Sequence, residues 1–142
     1  MPNREKPHRM WILLVIFACA ATTAFGIWHF FIPAQWDWYS YISADAPELI
    51  VAVRAINVFF SLCLVLIGIA DLLIVLVGSD RFARIVMLGL SVVLWTVRVA
   101  MQIVAPQGSA APALQYGMLA GFLSIWSCFT IALLIVVKPQ KR

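Results

Sequence analysis

Four long apolar runs, Met10 to Ile32, Leu49 to Val77, Phe82 to Val104 and Ala113 to Val137, leave this chain one class of fold. Each exceeds the ~18 apolar residues that mark a membrane-spanning helix, because ~20 residues at ~1.5 Å rise cross a ~30 Å hydrocarbon core. That core holds no water for backbone donors and acceptors, so the runs must be helical. Transmembrane strands would be ~10 residues long with alternating polarity, a pattern the runs lack. The expectation is a single transmembrane domain over residues 1-142, an all-α bundle of four helices. A hydrophobic fraction of 64% against 11% charged residues agrees, since a soluble domain would leave far too much apolar surface in water.

Charge sorts the connections into two sets. Arg4, Lys6 and Arg9 precede the first run, Arg81 and Arg84 follow the second, and Lys138, Lys141 and Arg142 follow the fourth. The first connection carries only acids (Asp37, Asp45, Glu48), and the third is uncharged. Basic residues of short loops stay cytoplasmic, so both termini and the second connection belong on the cytoplasmic side of a cell membrane. The net charge of +4 needs no nucleic acid: topology and anionic lipid head groups account for eight of the ten basic residues. Short connections imply an up-down-up-down order with sequential helices as antiparallel neighbours. Pro33, Pro47, Pro106 and Pro112 mark helix boundaries, and Gly78-Ser79-Asp80 separates the second and third spans, with Ser79 or Asp80 as N-cap.

Ala18-Cys19-Ala20 resembles a cleavage site for a secretion signal. However, the apolar stretch runs on to Phe31, beyond the ~7–15 residues of a signal core, so an uncleaved span is expected. Cys19, Cys63 and Cys128 are widely separated, with no C-x-x-C pair, and read as packing residues rather than a thiol-redox centre. A single histidine in the spans offers no pair of axial imidazoles to a haem, and no Cys/His cluster offers zinc a tetrahedral set, so neither metal nor other cofactor is expected.

Helical spacing gathers one polar stripe per span: Thr22, Gly26 and His29 on the first; Asn57, Ser61, Gly68 and Asp71 on the second, with Arg54 at its edge. Ser91, Trp95, Arg98 and Gln102 share a face of the third, and Tyr116, Ser127 and Thr130 one of the fourth. Such stripes suit a bundle interior, where hydroxyls and glycines pack helix to helix. They explain the charged residues less well. Arg54 and Arg98 each lie about six residues from the outer end of a span, ~9 Å deep, level with Asn57, Gln102 and His29. A charge at mid-bilayer costs ~2.5–3.5 kcal/mol on insertion scales. One reading lets both arginines snorkel to head groups or pair with Glu48, Asp45 or Asp37. The other makes His29, Arg54, Asn57, Arg98 and Gln102 an outward-facing pocket for a small amphiphilic ligand, a lipid or quinone-like molecule with an anionic or carbonyl-bearing head. Trp36, Trp38, Tyr39 and Tyr41 either anchor the first connection at the interface or cover that pocket. Asp71, ~25 Å from Arg54 along the helix, is a candidate proton or cation site, with Arg84, Ser127 or Thr130 in reach as partners.

Gly26-Ile27-Trp28-His29-Phe30-Phe31-Ile32-Pro33, ending near an aromatic loop, and Ile67-Gly68-Ile69-Ala70 in the second span resemble the DoxX-like group of small four-span bacterial membrane proteins. That resemblance implies an accessory role, in some cases beside quinone-linked oxidation, and little chemistry of its own. Arg54-Ala55-Ile56-Asn57 is faintly similar to the second span of the glutathione-linked MAPEG enzymes, but Val58-Phe59-Phe60 follows where an acidic residue is expected. The small multidrug transporters differ, because this first span has no carboxylate. The residues therefore favour a non-enzymatic membrane protein, an accessory subunit or a binder of lipid or quinone-like molecules in contact with the bilayer or a partner membrane subunit. A proton-coupled transporter using Asp71 and a MAPEG-like enzyme are the alternatives. The topology has a direct test: a reporter fused to the C-terminus is expected to be active only on the cytoplasmic side, and an external reporter overturns the assignment.

Overall fold

The computed structural model describes residues 6–77, 80–108 and 111–138. Four long helices dominate it: α1 (Lys6–His29), α3 (Pro47–Val77), α4 (Arg81–Val104) and α5 (Pro112–Val137), with a one-turn helix α2 (Ile32–Gln35) and a 3-10 turn (Trp38–Tyr41) in the first connection. All four long helices have the length and apolarity to cross a membrane, α1 through its stretch Met10–His29. The first span ends three residues earlier than expected, at His29 rather than Ile32. Pro33 cannot continue α1, and it instead occupies the first turn of α2, where its missing N–H costs nothing. Asp80 is the N-cap of α4, its carboxylate accepting the Ala83 N–H at 2.7 Å; Ser79 lies outside the described residues.

The outer surface is apolar, and the interior mixes apolar packing with most of the polar side chains of the spans. Large side chains such as Leu13, Phe17, Phe59, Leu73 and Val93 are exposed, while Thr22, His29, Asn57, Ser61, Asp71, Ser91 and Gln102 are buried. Lipid reverses the usual sorting: it solvates leucine well and leaves an unpaired hydroxyl or amide at a cost. The expected polar stripes of α1, α3 and α4 are therefore buried as stripes, apart from Arg54 and the half-buried Arg98. On α5 the expectation fails. Its buried face is Phe122, Ile125, Phe129 and Ala132, whereas Tyr116 is 65% exposed. Aromatic volume decides here, because Phe122 and Phe129 fill the space between α1 and α4 that hydroxyls could not.

The four long helices share their contacts unevenly. α1 packs most extensively on α3 and also on α5, and α5 packs on α4, but the consecutive pair α3 and α4 touches less than any of these. The α1–α3 contact is set by two glycines. A Cβ on Gly26 would stand 2.9 Å from Ser61 O, Leu64 Cβ and Val65 N, and one on Gly68 would stand 2.9 Å from Cys19 O. Backbone meets backbone at both points, as in small-residue packing in membranes. At the opposite seam, Arg81 donates to Val136 O (Nε, 3.1 Å) and Val137 O (Nη2, 2.7 Å), satisfying carbonyls that the end of α5 leaves open. Gly26→Ala is expected to lower stability by ~1–3 kcal/mol, the usual cost of overpacking, read as thermal unfolding in detergent. A variant as stable as the parent would show that α1 and α3 are not so closely joined.

Candidate functional site

At the end of the bundle that holds the first and third connections, the close approach at Gly26 brings the last turn of α1 onto α3. Asn57 and Ser61, one turn apart on α3, both meet His29: the Asn57 Nδ2 donates to His29 O at 3.2 Å, and Ser61 Oγ lies 3.3 Å from His29 Nδ1. The Ser61 hydroxyl donates its single proton to Asn57 O at 2.6 Å, so its oxygen accepts from a protonated Nδ1. In the neutral ring Nε2 is then an acceptor. The ring is held edge-on by Phe60 (4.8 Å between centroids) and Phe25 (5.6 Å), with Trp38 at 6.4 Å. Asn57 Oδ1 is buried with no partner among the described residues.

A second polar group is built by α4 and the third connection. Arg98 Nη2 donates to Gln107 Oε1 at 2.6 Å, and its guanidinium lies over Phe122 (4.4 Å) and Phe25 (5.8 Å). Gln102, 2% exposed, donates from Nε2 to Gln107 O at 3.0 Å and accepts the Gln107 N–H through Oε1 at 3.3 Å. The turn needs Gly108, whose φ of 73° an L side chain rarely adopts. Gln107 is thereby fixed by a long side chain on each side of its backbone and amide.

Between the two groups lies a cavity of about 200 Å³ whose walls include Trp28, His29, Trp36, Trp38, Gln107 and Met118. Phe25, Trp28, Leu114 and Met118 also line a second space of about 460 Å³ between α1 and α5, which continues past Ala21, Ala24, Gly117 and Gly121. The aromatic first connection thus contributes Trp36 and Trp38 to a cavity wall, while Tyr41 is 84% exposed.

The expected five-residue site is divided by the fold. His29 and Asn57 form one half, Arg98 and Gln102 the other, with Gln107 joined to the second. Arg54 belongs to neither: it is exposed, its guanidinium 5.2 Å above the Tyr39 ring. Arg54 lies one turn before Asn57 but about 60° round the helix from it, and that offset takes it off the edge of the buried face. Gln107, Trp28 and Met118 were not legible as site residues. The one available signal was an uncharged polar side chain, Gln107, between Pro106 and Gly108, and that pattern is common in ordinary turns.

Asp71 sits apart, 1% exposed, with Ser91 of α4 donating to Oδ2. The expected donors do not serve it: Thr130 Oγ1 is buried without a partner, and Arg84 stands over the Trp11 ring at 5.9 Å. Asp71 Oδ1 also has no partner among the described residues. A nearby relay joins α1 to α4, where Trp95 Nε1 donates to Thr22 Oγ1 at 3.2 Å and Thr22 donates on to Ala18 O at 2.7 Å. Among the described residues no three His, Cys, Asp or Glu side chains come together as a metal site. No protein-family model matches the chain, and no curated protein or solved structure matches it significantly.

The two arginines should respond differently to removal. Arg98→Leu removes the bond to Gln107 and the guanidinium over Phe122, with an expected loss of ~1 kcal/mol in thermal unfolding. Arg54→Leu, on the exposed face, is expected to leave the transition unchanged. Equal responses would contradict the division of the site.

Proposed function

We propose that this chain is a non-enzymatic four-span protein of the cell membrane, up-down-up-down with both termini cytoplasmic, that binds a small amphiphile in a pocket open to the outer leaflet. The observation that carries the reading is the cavity between His29 and Gln107. It is walled by aromatic rings, includes His29 and Gln107 as polar members, and shares Phe25, Trp28, Leu114 and Met118 with an adjoining apolar space between α1 and α5. That is the usual make-up of a small-molecule site: mostly apolar walls with a few placed polar groups. Together the two spaces fall in the ~300–1,000 Å³ range of such sites. The charge pattern of the connections supports the sidedness, and the DoxX-like resemblance of the first two spans fits an accessory role beside another membrane component. In this reading His29 faces the ligand, Asn57, Arg98 and Gln102 hold the walls, and Arg54 belongs to the interface. The MAPEG-like alternative is disfavoured, because Arg54 is exposed while Asn57 is buried.

Asp71 sustains one other reading, proton-coupled transport, because a buried carboxylate with an unpartnered oxygen is the kind of group that marks ion pathways. One preparation separates the two. Protein extracted in mild detergent is expected to carry an amphiphile at about one equivalent, seen by mass spectrometry, and to give vesicles with no proton flux. Empty protein, together with a flux abolished by Asp71→Asn, would replace the binder by the transporter.

A further inference from the structure

The α1–α5 space differs from the α1–α3 contact in the way its glycines are used. Gly26 and Gly68 are filled from the opposite side by backbone. By contrast, a Cβ on Gly117 or Gly121 would meet nothing within 4 Å. These two glycines, one turn apart on α5, bring no helix closer. They keep a groove open instead, opposite Ala21 and Ala24 of α1.

An independent observation stands at the end of that groove. His29 is 9% exposed and walls the adjoining cavity, and Nε2 has no hydrogen-bond partner among the described residues. Its partnered nitrogen is fixed by Ser61, which assigns Nε2 as an acceptor in the neutral ring. Across the cavity, Gln107 gives its Oε1 to Arg98, leaving the amide hydrogens on its Nε2 as donors. The cavity walls therefore include an acceptor-bearing ring, His29, and a donor-bearing amide, Gln107, among the aromatic side chains. Among the described residues no Lys or Arg lines either space; Arg98 lies over the Phe25 and Phe122 rings and holds Gln107 Oε1, and Arg54 lies over Tyr39.

We infer that the site takes an uncharged, single-chain amphiphile whose head bears a hydroxyl, with the hydroxyl proton given to His29 Nε2, a head oxygen accepting from Gln107, and the chain lying in the α1–α5 groove past Gly117 and Gly121. The inference rests on the binder reading above and narrows it. An anionic head is disfavoured because burying its charge is costly, and the nearest guanidinium, Arg98, is already bonded to Gln107 and laid over Phe25 and Phe122. Two sources share the required chemistry, a monoacylglycerol and a chain-bearing hydroquinone. The ligand would reach the cavity sideways from the bilayer, since the groove lies between two membrane-spanning helices.

Native mass spectrometry of the full chain released from detergent micelles tests this with three probes: monoolein, a decyl-substituted hydroquinone and an anionic single-chain control, oleoyl lysophosphatidylglycerol. Wild type is expected to bind one equivalent of at least one uncharged probe, about tenfold more tightly than the control, and the preferred probe identifies the source. Gly117→Leu and Gly121→Leu, whose new side chains enter empty space, are expected to weaken binding at least about tenfold with no change in thermal unfolding. Gln107→Met, which keeps length and removes the amide, should cost about tenfold, as a lost hydrogen bond of ~1.4 kcal/mol predicts. Equal or tighter binding of the control, or groove variants that bind like wild type, would overturn the inference while leaving an amphiphile site in place. Failure of wild type to bind any probe would overturn the inference and remove the support for the binder reading as well.

Discussion

The approach of α1 to α3 at Gly26 and Gly68 governs the rest of the interior. With a Cβ at either point only 2.9 Å from backbone of the other helix, no larger residue fits without parting the pair. Because the backbones are that close, the carbonyl and ring of His29 reach Asn57 and Ser61, and the imidazole is held in one orientation. The same contact places Phe25, one residue before Gly26, at the centre of the aromatic cluster with Trp28, Trp95 and Phe122. Helix packing and the geometry of the cavity are therefore one arrangement.

Away from that contact, polar side chains join the helices at discrete levels. Two threonines do so in the same manner: each accepts an indole N–H from another helix and donates to the carbonyl four residues back. Thr22 receives Trp95 in this way, and Thr96 receives Trp126 at 2.8 Å while donating to Val92 O at 2.7 Å. An indole N–H left unpaired in hydrocarbon is costly, and a threonine that has already spent its proton locally still has an oxygen to offer. Asp71 and Ser91 form a further level between α3 and α4. Since those two helices touch sparsely, this bond supplies a link that apolar packing does not.

The cavity itself arises from chain breaks rather than from the spans. Pro33 starts a separate short helix after α1, and beyond it Trp38 lies edge-on to His29 while Trp36 lines the same cavity. Gly108, through its positive φ, presents Gln107 from the other side. Arg98 then has an interior function without an acidic partner: an amide oxygen and two aromatic faces take the place of a carboxylate. Those interactions suit a planar guanidinium better than an ammonium. Arg54, equally deep by residue count, is exposed and lies over the Tyr39 ring, because its position on α3 is off the buried face.

The sequence by itself determined the spans, because the thickness of hydrocarbon and the need to satisfy every backbone group leave no other structure for such runs. Boundaries came from Pro47, Asp80, Pro106 and Pro112, whose effects are local. The interior stripes of α1, α3 and α4 were legible as well, since a polar residue at helical spacing in an apolar span has a single inexpensive place to go. Tertiary structure decided what phase and depth could not. Which helices adjoin depended on Gly26, Gly68 and the volume of Phe122 and Phe129. The division of the five expected site residues depended on side-chain direction, and the placement of Gln107 on a turn closed by Gln102. Two residues can share a depth and still face different solvents, and only the packed helices settle which one each side chain meets.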